Sequence, residues 1–140
     1  MIVVGGLIEK DHKYLLVQEG IDDRGHWGMP VGILEINESI KEGAKREIKE
    51  ETNLDVELTG IVNIANRVTK DDTIMGVIFT TKIKKGKVKV DGEEILDAKW
   101  FTYEEIIKMK PNMRNFDWLN KCITAYQKGQ IASLDLLTKM

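Results

Sequence analysis

The chain carries one cysteine, Cys122, in 140 residues. No intramolecular disulfide can brace it, and such usage suits a reducing compartment. No apolar run approaches the roughly 20 residues that a membrane span needs. The opening MIVVGGLIEKDHKYLLVQE has neither the basic leader nor the cleavage site of a secretory signal. The expected setting is therefore cytoplasmic, without a membrane partner. Neither sign of charge is in excess: the formal net charge is −2. That leaves no general basic field for sequence-independent nucleic-acid binding, although a local basic patch stays open. Repeats, linkers and low-complexity segments are also missing.

What is present is a globular mixture, 42% hydrophobic and 31% charged. The length fits one domain over residues 1–140, able to bury roughly 70% of the surface of its unfolded chain. Two apolar runs, 2–8 and 13–19, joined by the polar EKDHK, predict a hairpin. The glycine-rich GIDDRGHWGMP, 20–30, reads as a loop and VGILE as a short strand. A helix is expected from Ser39 to about Thr52, with Asn37 or Glu38 near its start and the turn-prone Asn53 after it. Strands follow at 54–66 and 73–83, and another in ILDAKWFT. A short helix is expected at 102–109, stopped near Pro111, and a longer one at about 114–128 with Phe116, Leu119, Ile123 and Tyr126 on one face. Strands first, a helix between them and helices last predict an α+β fold.

The helix from Ser39 has an unusual face. At about 100° per residue, Ile40, Ala44 and Ile48 fall within roughly 80° and form the core-facing stripe. Lys41, Glu42, Lys45, Lys49 and Thr52 occupy a solvated sector. Glu47 and Glu51 lie within about 20° of Ile40, in the apolar stripe, and Glu50 lies at its edge near Arg46. Like charges three and four residues apart repel, and negative charge near a helix C-terminus opposes the macrodipole. Burying ionised carboxylates costs several kcal/mol each without a partner. Two arrangements would relieve that cost: basic side chains or solvent at the helix end, or a divalent cation. With no histidine or cysteine cluster nearby, hard carboxylate oxygens suit Mg²⁺ or Mn²⁺ rather than zinc.

The stretch GILEINESIKEGAKREIKEETNL, 32–54, resembles the signature box of the Nudix hydrolases, G-x5-E-x7-R-E-U-x-E-E-x-G-U, where U is a bulky aliphatic. Gly32, Glu38, Arg46, Glu47, Ile48, Glu50, Glu51 and Leu54 meet it, and Asn53 replaces its last glycine. WGMPVG is similar to the family's W-x-x-P-G-G approach. EEILDAKWFTYEEI looks like its later acidic strand and helix. The tail MRNFDWLNKCITAYQKGQIASLDLL is reminiscent of a branch of small bacterial phosphatase-like members, associated with nucleoside di- and triphosphates and a thiamine-precursor pyrophosphate.

The resemblance implies a mixed β-sheet sandwiched between helices and a metal-dependent pyrophosphohydrolase. Its substrate would be a small-molecule diphosphate, a nucleotide above all. Glu47, Glu50 and Glu51 would bind Mg²⁺ or Mn²⁺, and Arg46 would orient them. Glu38 would brace the loop–helix junction or stand in an outer metal shell. The backbone carbonyl of Val31 would be a further ligand, and Glu94, beside Glu93 and Asp97, the carboxylate supplied from outside the box. Glu51 and Glu94 both stay open as general base. Asn37 and Asn53 replace glycines expected in left-handed conformation, which Asn enters readily. Val31 replaces a glycine, and a β-branched residue tolerates positive φ poorly. A ligand-sensing module without activity, and an enzyme acting on RNA 5′ ends, are the competing functions; dimers are common in the family.

Four smaller expectations complete the reading. His12 sits solvated in a turn. Arg24, Arg67 and Lys70 are surface charges that could reach substrate phosphates. Trp27 and Trp100 are packing residues. Cys122 is a semi-buried small hydrophobe.

Overall fold

In the computed structural model, which describes residues 1–20 and 25–140, eight strands and three α-helices are present among the described residues. They are β1 (Ile2–Leu7), β2 (Glu9–Lys10), β3 (Lys13–Glu19), β4 (Trp27–Gly28), β5 (Val31–Ile33), α1 (Ile40–Thr52), β6 (Asp55–Val68), β7 (Thr73–Lys85), β8 (Ile95–Thr102), α2 (Tyr103–Lys108) and α3 (Phe116–Gln127). One sheet runs β5-β1-β7-β6 and is mixed, because β1 is parallel to β7 and antiparallel to β5. The other is antiparallel: β2 and β4 join β3, which also pairs with β8.

The expected hairpin of 2–8 with 13–19 survives only at its tip. Glu9 pairs with Tyr14 and Lys10 with Lys13, turned by Asp11 and His12 at φ 52° and 63°. β1 itself crosses to the other sheet, where Ile2–Leu7 run in register with Met75–Thr80. A near-continuous apolar run suits a strand buried on both faces and flanked by two partners. β1 has β5 and β7; β3 has β4 and β8. Each is central to its own sheet.

Alternation along these strands divides the core in two. Val4, Ile8, Leu15, Val77 and Phe79 pack on Ala44 and Ile48 of α1. Leu7, Tyr14, Leu16 and Ile78 pack with Ile106 of α2 and Leu119, Cys122 and Ile123 of α3. The strands are thus a middle layer between helices, the α+β sandwich expected. Cys122 is fully buried rather than semi-buried, and burial pushes its thiol up to about 12. No helix among the described residues is long and apolar enough to cross a membrane.

Local signals set both ends of α1. Ser39 Oγ accepts from the Glu42 amide at 3.1 Å, and a Glu42 carboxylate oxygen accepts from the Ser39 amide at 2.9 Å. At the other end Asn53, at φ 67°, donates its N–H to the Lys49 carbonyl, and its Nδ2 reaches the Lys87 carbonyl at 3.0 Å. Asn37 also adopts φ 67°. One position on the helix differs from expectation: Thr52 is fully buried rather than solvated. Its hydroxyl donates to the Ile48 carbonyl at 2.6 Å and accepts from the Leu54 amide, so the last turn folds inward with its polar group satisfied.

Candidate active site

Glu47 and Glu51 lie on the inward face of α1, as the helical wheel requires. Glu51 is 7% exposed, and the Glu47 side chain 13%, whereas that of Glu50 is 57% exposed. Room for Glu47 comes from Gly32 on β5: a Cβ there would stand 2.1 Å from the Glu47 carboxyl carbon. Only glycine allows strand and carboxylate to approach this closely. Val31, its neighbour, is an ordinary strand residue opposite Gly5, so its β-branched side chain meets no left-handed backbone. Gly5 provides the space instead, since a Cβ on it would meet the Pro30 carbonyl oxygen at 2.2 Å.

Arg46 organises the carboxylates around it. Its Nε and Nη2 donate to the two oxygens of Glu38 at 2.6 and 2.9 Å, a bidentate pair. Nη1 donates to both Glu47, at 2.8 Å, and Glu50, at 3.2 Å, and Nη2 also reaches the Ile33 carbonyl. Arg46 is held in its charged form chiefly by Glu38, against burial. The Glu38 carboxyl is lowered in turn, by Arg46 first and then by the Glu35 amide. Glu38 thus braces loop, helix and arginine together.

Basic partners alone do not account for the glutamates. Burial raises the Glu47 carboxyl more than its contact with Arg46 lowers it. Glu51 is pushed up to about 9, by burial first, then by Glu19 and Glu47, with only Arg114 opposing before Glu50 adds to the rise. Glu51 Oε1 is buried and accepts no hydrogen bond among the described residues. An orphaned buried oxygen costs about 1–3 kcal/mol. Solvent relieves Glu50 and Arg46 relieves Glu47, but Glu51 has only Arg114 against its burial and keeps an orphaned oxygen.

Hard oxygen donors, one of them buried with an orphaned oxygen and one half-buried in a glycine cradle, fit a divalent cation such as Mg²⁺ or Mn²⁺. Among the described residues, no three carboxylate, imidazole or thiolate groups converge into a closed ligand set. Nη1 of Arg46 bridges Glu47 and Glu50 instead.

Glu94, the carboxylate expected from outside the box, is exposed at the start of β8. Its carbonyl accepts from the Gly20 amide at 2.9 Å, beside the Glu19–Ile95 strand pair. The acidic groups that act on Glu51 are Glu19, Glu47 and Glu50. Glu19 and Arg114 belong to this neighbourhood and carry no local sequence signal: Arg114 Nη2 meets Glu19 Oε1 at 2.9 Å. The Arg114 amide donates to the Trp27 carbonyl, which ties the segment before α3 to β4.

Beside Gly32 opens a cleft of about 750 Å³ between β5, the outer half of β6 and the start of α3. That is an ordinary size for a small-ligand site. Arg67 lines it, whereas Lys70 lies in the exposed turn beyond; Arg24 is outside the described residues. Trp118 forms part of its wall, with its Nε1 donating to Asn63 Oδ1 at 2.8 Å and its ring over Gly76. A tryptophan outside the apolar stripe of α3 was the available signal for that wall. Trp27 packs edge-on against Phe101, with ring centroids 5.1 Å apart, and Trp100 packs on the α1 side of the core. His12 is exposed in its turn.

In sequence and fold the chain is similar to known proteins. The chain is 26% identical over 138 residues to the phosphatase NudJ of Shigella boydii, covering 97% of this chain and 89% of that protein. It is 28% identical over 111 residues to an ADP-ribose pyrophosphatase of Methanocaldococcus jannaschii, covering 77% of this chain and 65% of that one. A NUDIX hydrolase structure from Nitrosomonas europaea superposes with a TM-score of 0.88 at 28% identity, covering 99% of this chain and 96% of the other. With the NUDIX domain model matching residues 1–119, the chain belongs to the Nudix family of pyrophosphohydrolases.

Proposed function

We propose that this protein cuts a diphosphate linkage in a nucleoside di- or triphosphate, or a related X-linked diphosphate, with the help of Mg²⁺ or Mn²⁺. The observation that carries the reading is Glu51: a buried carboxyl with an unpartnered oxygen, beside the half-buried carboxylate of Glu47. Glu47, Glu50 and Glu51 are the side chains that would hold the ion. The Val31 carbonyl and Glu94, or Glu19, would be the further oxygen donors. A bound dication would neutralise charge on the phosphoryl oxygens and lower the pKa of water.

The chain's own residues do the rest. Arg46 fixes Glu47 from one side while Glu38 fixes Arg46 from the other, so the carboxylate keeps its direction when substrate arrives. Glu51 or Glu94, in ionised form, would take the proton of an attacking water. Arg114 draws Glu19 toward this neighbourhood. The cleft beside Gly32 receives the organic part of the substrate. The names of the relatives, a phosphatase and an ADP-ribose pyrophosphatase, agree with this reaction class.

Phosphate and pyrophosphate release, measured across nucleoside di- and triphosphates, ADP-ribose and nucleotide sugars with each ion, tests the proposal. Metal-dependent turnover that disappears in folded Glu51→Gln is expected. Equal turnover by the variant would refute the assignment of Glu51.

A further inference from the structure

The cleft beside Gly32 is more basic than cutting a simple diphosphate requires. Among the described residues, Arg67, Lys110, Arg114 and Lys121 line it against a single acid, Asp117, in a chain whose formal net charge is −2. Arg114 is engaged with Glu19 and serves the glutamate end. Among the described residues, Arg67, Lys110 and Lys121 form no ion pair. Lys110 is exposed, and its Nζ rests 5.2 Å from the centroid of the Phe116 ring, a cation–π contact that biases the ammonium toward the cleft wall. Lys110 follows α2 and Lys121 lies on α3, elements distinct from α1 and β5, which carry Glu47 and Gly32. The scissile diphosphate must sit at the glutamates, so cations elsewhere in the cleft are available to another anionic group.

We propose that the cleft selects substrates bearing a phosphate beyond the two that flank the cut, with Lys110 and Lys121 as specificity-determining residues and Arg67 in support. This rests on the diphosphate-cutting reading for the location of the scissile bond, but the selectivity itself is a binding property. The additional phosphate could extend the polyphosphate chain or stand on the departing organic group; both offer the same dianionic oxygens to the lysines. A neutral sugar at that position leaves the cations without a partner. The overall negative charge of the protein supplies no alternative attraction for a polyanion.

Calorimetric titrations of the full chain at fixed ionic strength, with a chelator present so that no turnover occurs, test this directly. Two matched pairs serve as ligands: ADP with ATP, and NAD with NADP. The more phosphorylated member of at least one pair is expected to bind about tenfold tighter or better. The pair that shows it tells chain extension from a phosphate on the organic group. Lys110→Gln combined with Lys121→Gln is expected to shrink that preference to about twofold or less, with circular dichroism confirming the fold. Equal affinities within both pairs, a preference that survives the double substitution, or no binding of any ligand up to about 10 mM would each overturn the proposal. Turnover is scored separately with Mg²⁺. A protein that keeps the phosphate preference but never hydrolyses refutes the catalytic reading alone.

Discussion

Replacing Glu51 by Gln should stabilise the metal-free protein at neutral pH. The Glu51 carboxyl is raised from an ordinary value of 4.5 to about 9 in the folded chain. Below pH 4.5 it is protonated in both folded and unfolded states and carries no penalty. Between 4.5 and 9 the unfolded chain ionises while the folded one keeps its proton, so stability falls as pH rises, by about 1.4 kcal/mol per unit. By pH 7 the accumulated loss is about 3 kcal/mol, a large share of a typical 5–15 kcal/mol. Gln has nearly the shape of the protonated acid and does not titrate. Urea unfolding of both proteins in chelator at about pH 5, 7 and 8.5 should show curves that diverge with pH, by about 1 M or more in midpoint at pH 7. Saturating Mg²⁺ should narrow or reverse the order, because ligation stabilises only the wild-type site. Wild-type and variant stabilities with the same pH dependence in chelator would refute the reasoning.

Arg46→Ala should cost about 3 kcal/mol by urea unfolding, since it leaves Glu38 and Glu47 partly buried and unpaired. Gly32→Ala drives a methyl into the Glu47 carboxylate; it should lower Mn²⁺ affinity by about tenfold or more while costing about 1–3 kcal/mol of stability. Cys122, fully buried with its thiol pushed up to about 12, should resist a thiol reagent in the native state and react at the rate of unfolding.

Features carried by local chemistry were legible before any coordinates. The inward face of Glu47 and Glu51 follows from neighbours within one or two helical turns, and the left-handed Asn37 and Asn53 from the glycines they replace in the family pattern, whereas the cap falls on Ser39 rather than on Asn37 or Glu38. Spacing through residues 32–54 also carried the family resemblance, because the metal-binding signature is contiguous on one loop and helix. What failed was non-local. The partner of β1 lies more than seventy residues away on β7, so two apolar runs a few residues apart read as one hairpin although they occupy different sheets. Thr52 looked solvated on the wheel because the inward bend of the last turn depends on the following strand. Glu19 and Arg114 meet only through folding, 95 positions apart in the chain, and neither carries a motif.

The central claim is that Glu47, Glu50 and Glu51 hold the dication on which diphosphate cutting depends. Mn²⁺ binding, followed by electron paramagnetic resonance, can be measured on the same samples as phosphate release for wild type and for Glu47→Gln, Glu50→Gln and Glu51→Gln. The account predicts that the folded variants lose metal affinity and turnover together. Undiminished Mn²⁺ binding in all three, or full turnover in excess chelator, would contradict it.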